Sequence, residues 1–133
     1  MDAASALADL TEISSQVESA VVLEGTGSVL ASTLADAALA ERIGRAGLDL
    51  LAGAREQVRA EGRELTQVEA ALRDGSLFVV RGEGRTIVAT TSPSPSSGLV
   101  FYDLKTCLGA LAQDDEPTPK PKRKPARRDE ANA

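Results

Sequence analysis

The sequence predicts an α+β fold in which one five-stranded antiparallel sheet is flanked by helices, in the order α-β-β-α-β-β-β-α. Three observations support this prediction. Short apolar, β-branched runs are joined by glycine-containing turns, which is typical of β-hairpins. A long segment with apolar residues at helical spacing separates two of these runs from a group of three. Shorter amphipathic segments flank the whole set, so helices and sheet form packed layers.

The composition excludes several classes of protein. A chain of 133 residues suggests one domain with a modest core. It has no histidine and a single cysteine, Cys107, which excludes Ser-His-Asp and Cys-His nucleophile systems and internal disulfides. The first residues, MDAASALADL, do not read as a signal peptide, and no stretch approaches the roughly 20 apolar residues of a membrane span. We therefore expect a cytoplasmic protein.

A helix and a hairpin are predicted at the start of the chain. Apolar residues at helical spacing predict a helix from Ala3 to Val17. Two strand-like runs follow, Ala20–Leu23 and Ser28–Ser32. The stretch EGTGS between them has the glycines and hydroxyls of either a phosphate-binding loop or a hairpin turn.

The residues around EGTGS favour the hairpin turn. A phosphate loop leads into a helix and commonly includes a lysine that reaches the phosphates. Here an alternating β-branched run follows, no lysine precedes Lys105, and Glu24 would repel an anion. We therefore predict a turn and no nucleotide-binding site.

The longest periodic segment, Leu34 to Glu61, predicts one long helix that Gly62 ends. Its apolar surface is wider than packing on one sheet requires and consists of two adjoining arcs. The first arc contains Leu39, Ile43, Ala46 and Leu50. The second arc contains Ala40, Gly44, Gly47, Leu51 and Val58. Each glycine costs up to about 1 kcal/mol in helix propensity relative to alanine, so we expect the second arc to admit another helix closely, as a dimer interface.

A meander and a last helix are predicted next. The strand-like segments are Leu65–Leu72, Leu77–Arg81 and Thr86–Thr91, and the turns between them contain Asp74-Gly75-Ser76 and Gly82-Glu83-Gly84. The proline-containing segment 92–98 is interpreted as a loop. The last amphipathic helix is marked by Phe101, Leu104, Leu108 and Leu111.

The charge distribution divides the chain in two. Residues 1–112 carry nine basic and fifteen acidic side chains, a net charge of −6, whereas residues 113–133 carry a net charge of +1. We predict a domain over 1–112 and a disordered tail over 113–133, since the tail has no hydrophobic side chain larger than alanine. Weak polyanion contact and a purely solubilising role are both open for the tail. Its cations are Lys120, Lys122, Arg123, Lys124, Arg127 and Arg128.

Other polar residues are weaker candidates for chemistry. Cys107 lies one helical turn from Leu104 and from Leu111, so we interpret it as a buried structural residue instead of a reactive thiol. Four carboxylates fall on predicted polar helix faces, where solvation explains them. These are Asp9, Glu12, Asp49 and Glu56.

Four segments together give the sequence a family resemblance. They are VESAVVLEGTGSVLAS (17–32), the helix end AREQVRAEG, the meander TQVEAALRDGSLFVVRGEGRTIVATT (66–91) and GLVFYDLKTCL (98–108). In this order they resemble the roadblock family, the dynein light-chain-like domains that include prokaryotic partners of Ras-like GTPases. The resemblance extends over residues 5–112 and includes no catalytic motif.

The resemblance implies a sheet sandwiched by helices and a homodimer in which the long helices, and the strands after them, meet across a two-fold axis. Family members are non-catalytic scaffolds or regulators of small GTPases. We therefore expect a non-enzymatic module, without catalytic, cofactor or metal site, that dimerises and binds a Ras-like small GTPase to modulate its cycle or localisation. The alternative is a structural adaptor that assembles a larger complex and leaves nucleotide turnover unchanged.

Overall fold

The computed structural model describes residues 1–58 and 64–115. The order of elements is the predicted one: α1 (Ala3–Ile13), β1 (Val17–Leu23), β2 (Val29–Ser32), α2 (Ala37–Val58), β3 (Gln67–Leu72), β4 (Gly75–Gly82), β5 (Arg85–Thr91) and α3 (Ser97–Asp115). The predicted end of the long helix at Gly62 lies outside the described residues. Of the predicted disordered tail over 113–133, residues 113–115 belong instead to α3, and the residues after Asp115 also lie outside the described part.

The five strands form one antiparallel sheet, as the sequence predicts, and the structure gives their order as β2-β1-β5-β4-β3. Strand β5 joins the first hairpin to the meander, because Val88 is opposite Val21 on β1 and opposite Val79 on β4. All three valines are fully buried. The continuous apolar runs of these strands are therefore explained by burial on both faces of the sheet.

Helices cover both faces of the sheet. Strand alternation directs Val22, Phe78 and Ile87 to the core under α1 and α3. The same alternation directs Val79 and Val88 to the core under α2. Two separate cores therefore lie on the two faces of one sheet, as in a helix–sheet–helix sandwich.

The first helix is shorter than predicted. It ends at Ile13, and the backbone N–H of Ser14 donates to the Leu10 carbonyl oxygen at 2.8 Å. The buried hydroxyl of Ser14 accepts from the backbone N–H groups of Gln16 and Val17, both at 3.3 Å. These bonds compete with the helical pattern, so Val17 begins β1 although its spacing fits α1.

Side-chain caps fix where α1 and α2 begin. The Asp2 carboxylate accepts from the Ser5 N–H at 2.8 Å. The Asp36 carboxylate accepts from the N–H groups of Ala38 and Leu39, at 3.0 and 3.2 Å. Each aspartate satisfies helix N–H groups that have no partner within the helix, and its charge favours the positive end of the dipole.

Candidate functional site

The EGTGS stretch is a hairpin turn, as predicted. Strands β1 and β2 pair antiparallel on either side of it. The N–H of Glu24 donates to the Ser28 carbonyl oxygen at 2.9 Å, and that of Gly27 donates to the Glu24 carbonyl oxygen at 2.8 Å. Gly27 has a φ of 96°, which favours glycine. The turn leads into β2, so its N–H groups do not sit below a helix as they would in a phosphate loop.

The glycine arc of α2 packs on the chain's own sheet. A Cβ atom at Gly44 would lie 2.9 Å from Cδ2 of Leu23, and one at Gly47 would lie 2.4 Å from Cγ2 of Val88. Both glycines are buried in the single chain, as are two more residues of the arc. These are Ala40 and Leu51, each 2% exposed.

This packing corrects the predicted dimer interface. Ala40, Gly44, Gly47 and Leu51 are covered by the sheet and are not accessible to a second chain. Val58, the fifth residue of the prediction, is half-buried at the end of α2. The small residues do permit a close approach, but the element that approaches is the chain's own sheet. Helical periodicity identifies an apolar arc without identifying what covers it.

The first arc of α2 remains partly exposed. Leu39, Ile43 and Leu50 are half-buried, and Ala46 is exposed. Ile43 and Leu50 pack against the margin of the core under α2. An apolar strip therefore runs along the side of α2, and no other helix of the described residues covers it fully.

Strand β3 lies at the sheet edge and borders the same core. Among the described strands it pairs only with β4, so its outer backbone groups lack a neighbouring strand. The register places Val68, Ala70 and Leu72 on the face of the sheet that α2 covers. Leu72 is 64% exposed. We name these three residues, together with Leu39, Ile43, Ala46 and Leu50, the α2–β3 surface.

Cys107 is buried, as predicted. Its thiol donates to the Ala6 carbonyl oxygen at 3.6 Å. Burial, with a smaller contribution from the charge of Asp9, raises the pKa of the thiol to about 11. The sulfur is therefore protonated near neutral pH, and a protonated thiol is a poor nucleophile and metal ligand.

The remaining polar candidates do not converge on one site. Each of the four carboxylates on the predicted polar faces is exposed, as expected: Asp9, Glu12, Asp49 and Glu56. Within residues 1–58 and 64–115, no group of three or more Asp, Glu, Cys or His side chains is arranged to hold a metal ion. The six tail cations, Lys120, Lys122, Arg123, Lys124, Arg127 and Arg128, lie outside the described residues. No helix of the described part is long and apolar enough to span a bilayer.

Sequence reasoning missed Asp103. Its side chain is only 7% exposed and lines a depression between α1 and α3. The spacing of Asp103 could have indicated its burial, because Asp103, Cys107 and Ala110 follow steps of four and three and so share one face of α3. A carboxylate in register with a buried cysteine is typical of a partly apolar helix face, not of a solvated one.

Comparisons with known proteins agree with this architecture. No protein-family model matches the sequence, and no curated protein matches it significantly. Among solved structures, the chain is similar to a Roadblock/LC7 domain from Streptomyces avermitilis, with 19% identity, a TM-score of 0.77 and coverage of 86% of this chain and 98% of that one.

Two further solved structures are MglB proteins. The gliding protein MglB of Thermus thermophilus is 17% identical, with a TM-score of 0.69 and coverage of 84% of this chain and 86% of that one. Myxococcus xanthus MglB is 15% identical, with a TM-score of 0.66 and coverage of 80% of this chain and 81% of that one. At these identities the likeness is one of fold. The antiparallel sheet of five strands, with α2 on one face and α1 and α3 on the other, is the roadblock/LC7 fold.

Proposed function

We propose that the chain is a non-enzymatic regulatory module that forms a homodimer, binds a Ras-like small GTPase and modulates its GTPase cycle or localisation. The observation that carries the proposal is the α2–β3 surface, which is apolar, partly exposed and beside an unpaired sheet edge. The roadblock fold and the resemblance to a family of GTPase partners support it.

The α2–β3 surface suits contact with a second copy of the chain. A two-fold axis beside it would bring α2 against α2 and β3 against β3, so that each apolar strip meets its own copy. The contact would bury Ile43 and Leu50 further and cover Leu72, which is 64% exposed in the single chain. It would also pair or cover an edge that otherwise invites uncontrolled strand addition.

Regulation in this proposal proceeds by binding. The EGTGS turn offers no phosphate loop, and the Cys107 thiol is protonated near neutral pH. The module would therefore act on nucleotide turnover by positioning the GTPase's own residues or by holding the GTPase at a location. A structural adaptor of a larger complex would bind in the same way but leave turnover unchanged.

The domain division belongs to the proposal. The GTPase-binding module comprises the predicted domain of residues 1–112 and the end of α3 up to Asp115, and the residues after Asp115 form a basic tail that makes weak, non-specific polyanion contacts. The charge pattern supports this division, since the six cations fall between Lys120 and Arg128. Phosphate attraction requires positive charge and no particular sequence.

The test uses the Ras-like GTPases encoded in the same genome, each purified and mixed with the full chain. We expect one of them to form a complex, and its single-turnover GTP hydrolysis or its release of labelled GDP to change several-fold. A complex with unchanged rates would identify the adaptor instead. Failure of every such GTPase to bind at micromolar concentrations would contradict the proposal.

A further inference from the structure

A groove lies between α1 and α3, on the opposite face of the sheet from α2. Its volume is about 300 Å³. Residues of α1 that line it include Asp9, Leu10 and Ile13, and residues of α3 include Tyr102, Asp103 and Cys107. We name it the α1–α3 groove. The α2–β3 surface lies away from this groove, so one partner can contact that surface while another occupies the α1–α3 groove.

In the described part of the chain, the carboxylate of Asp103 lies in the groove wall without a group of opposite charge to pair with it. The residue is only 7% exposed, yet within residues 1–58 and 64–115 no hydrogen bond or ion pair reaches its carboxylate. A buried carboxylate without a partner is costly, because it loses its hydration and gains nothing in exchange. A cation entering the groove would supply what the carboxylate lacks.

The remainder of the groove is largely apolar and, among the described residues, carries no basic side chain, although Met1, which bears the terminal amine, also lines it. Ile13 is 66% exposed and Tyr102 is 67% exposed, although both are large hydrophobic side chains. Helix α1 contains no basic residue, and Asp9 adds a second carboxylate to the groove wall. Lys105, the only basic residue of α3, does not line the groove. The groove thus combines apolar contact area with two carboxylates, against which the terminal amine of Met1 is the one basic group among the lining residues.

We infer that the α1–α3 groove docks an amphipathic helix of a partner protein. An arginine or lysine of that helix pairs with Asp103 and Asp9, and apolar side chains one turn away pack between Ile13 and Tyr102. Apolar anchors at steps of three and four are the usual way in which a helix fills such a groove. An anionic partner is excluded by the two carboxylates.

The chain's own tail fits this groove less well. It carries six cations but no hydrophobic side chain larger than alanine, apart from prolines. It would therefore satisfy Asp103 and leave Ile13 and Tyr102 exposed. A partner helix satisfies both requirements together, since one face presents the cation and the apolar residues side by side.

The test selects a displayed library of amphipathic helical peptides on the full chain. We expect the selected helices to carry an arginine or lysine within one turn of a large apolar residue. Calorimetric titration of the full chain with each selected peptide measures its affinity. The analogue with glutamine in place of the cation is expected to bind more weakly.

Two variants locate the contact. Asp103→Asn keeps the shape of the side chain but removes its charge. It should lower the affinity of the selected peptide by about tenfold or more, because a buried charge-assisted hydrogen bond is lost. Asp49→Asn, at an exposed aspartate on α2, should leave the affinity unchanged. Equal binding of the peptide to Asp103→Asn, or selection of helices without a cation, would overturn the inference, as would a library that yields no binder.

Other occupants give different results. If a chain ending at Asp115 binds the peptide tenfold more tightly than the full chain, the tail is the natural occupant and a partner helix is not. If the peptide shifts the chain's sedimentation from dimer to monomer, the groove is a contact between copies. Either result overturns the inference, and neither depends on whether the chain binds a GTPase.

Discussion

Gly47 on α2 lies so close to Val88 on β5 that a Cβ atom on the glycine would be 2.4 Å from Cγ2 of the valine. Real Cβ atoms do not approach other atoms to this distance. The absence of a side chain at Gly47 therefore sets how closely the axis of α2 approaches the sheet. The neighbouring Gly44 repeats the relationship with Leu23, where the distance would be 2.9 Å.

Substitution of alanine for Gly47 should destabilise the fold. The extra methyl group would force α2 away from Val88, and overpacking of this kind costs about 1–3 kcal/mol, which exceeds the gain of up to about 1 kcal/mol in helix propensity. Urea unfolding at fixed protein concentration measures the difference in free energy of unfolding.

Gly53→Ala is the matched control on the same helix. A Cβ atom at Gly53 would meet nothing within 4 Å, so this substitution gains helix propensity without a clash and should stabilise the fold by up to about 1 kcal/mol. If Gly47→Ala proves as stable as Gly53→Ala, the close approach of α2 to β5 does not hold in solution.

The sequence predicted the order of elements because local signals determine it. Turn residues identify the hairpins, and the spacing of apolar residues separates strands from helices. Local signals failed where a tertiary contact decides the outcome. Val17 fits the spacing of α1, but hydrogen bonds to the buried Ser14 hydroxyl place it in β1. The spacing of Asp103 from Cys107 indicates a partly apolar helix face, but the sequence does not show that α1 lies beside that face and leaves Asp103 only 7% exposed.

The two apolar arcs of α2 show the same limit of local sequence signals. Periodicity correctly gives two apolar arcs, but the direction in which a helix faces its sheet depends on the sheet as well as on the helix. The arc with Gly44 and Gly47 is the one that packs inward, because its small residues allow the closest contact. The arc with Ile43 and Leu50 is the one that stays partly exposed.

A charge at Ala46 should dissociate the proposed homodimer. Ala46 is exposed in the single chain, so Ala46→Glu does not disturb the fold, but in a two-fold contact between α2 helices it would bury two carboxylates close together. We expect the variant to sediment as a monomer at concentrations at which the parent chain is a dimer.

Ala52→Glu serves as the control for this experiment. Ala52 is also exposed on α2 but lies on the other side of the helix, away from the α2–β3 surface. The Ala52→Glu variant should therefore retain the sedimentation coefficient of the parent chain. A dimer that persists in Ala46→Glu would show that the two copies meet at another surface.

The thiol of Cys107 should make stability depend on pH in the alkaline range. Its pKa is about 11 in the folded chain, above its ordinary value of 9.0, so the folded state retains a proton that the unfolded state releases. The contribution is therefore fully present below pH 9, and it is lost as the pH rises towards 11. Other groups titrate in the same range, so the comparison is with Cys107→Ala.

In Cys107→Ala this part of the pH dependence should disappear, whatever the variant's stability at neutral pH. Urea midpoints of both proteins, measured from about two pH units below the folded pKa of the thiol up to that pKa, provide the measurement. Parallel pH profiles for the two proteins would indicate that the thiol is hydrated and that its pKa is not raised.

A chain that ends at Asp115 should fold with an unchanged thermal midpoint, because the buried residues of both cores lie between Ala6 and Leu111. Its association with duplex DNA or anionic vesicles should be lost. For the full chain, that association should weaken steeply with salt, with a slope of log K against log salt no steeper than about −5 for six cations on DNA.

A full-length variant with glutamine at the six tail cations separates charge from length. It should behave like the truncated chain towards DNA and vesicles, since phosphate attraction depends on the positive charges alone. Both proteins should still form the homodimer and the GTPase complex, because the α2–β3 surface is intact in each. If the glutamine variant binds DNA as the parent does, the contact belongs to residues 1–112 despite their net charge of −6. A truncated chain with a lowered midpoint would place part of the folded domain beyond Asp115 and move the proposed domain boundary towards the C-terminus.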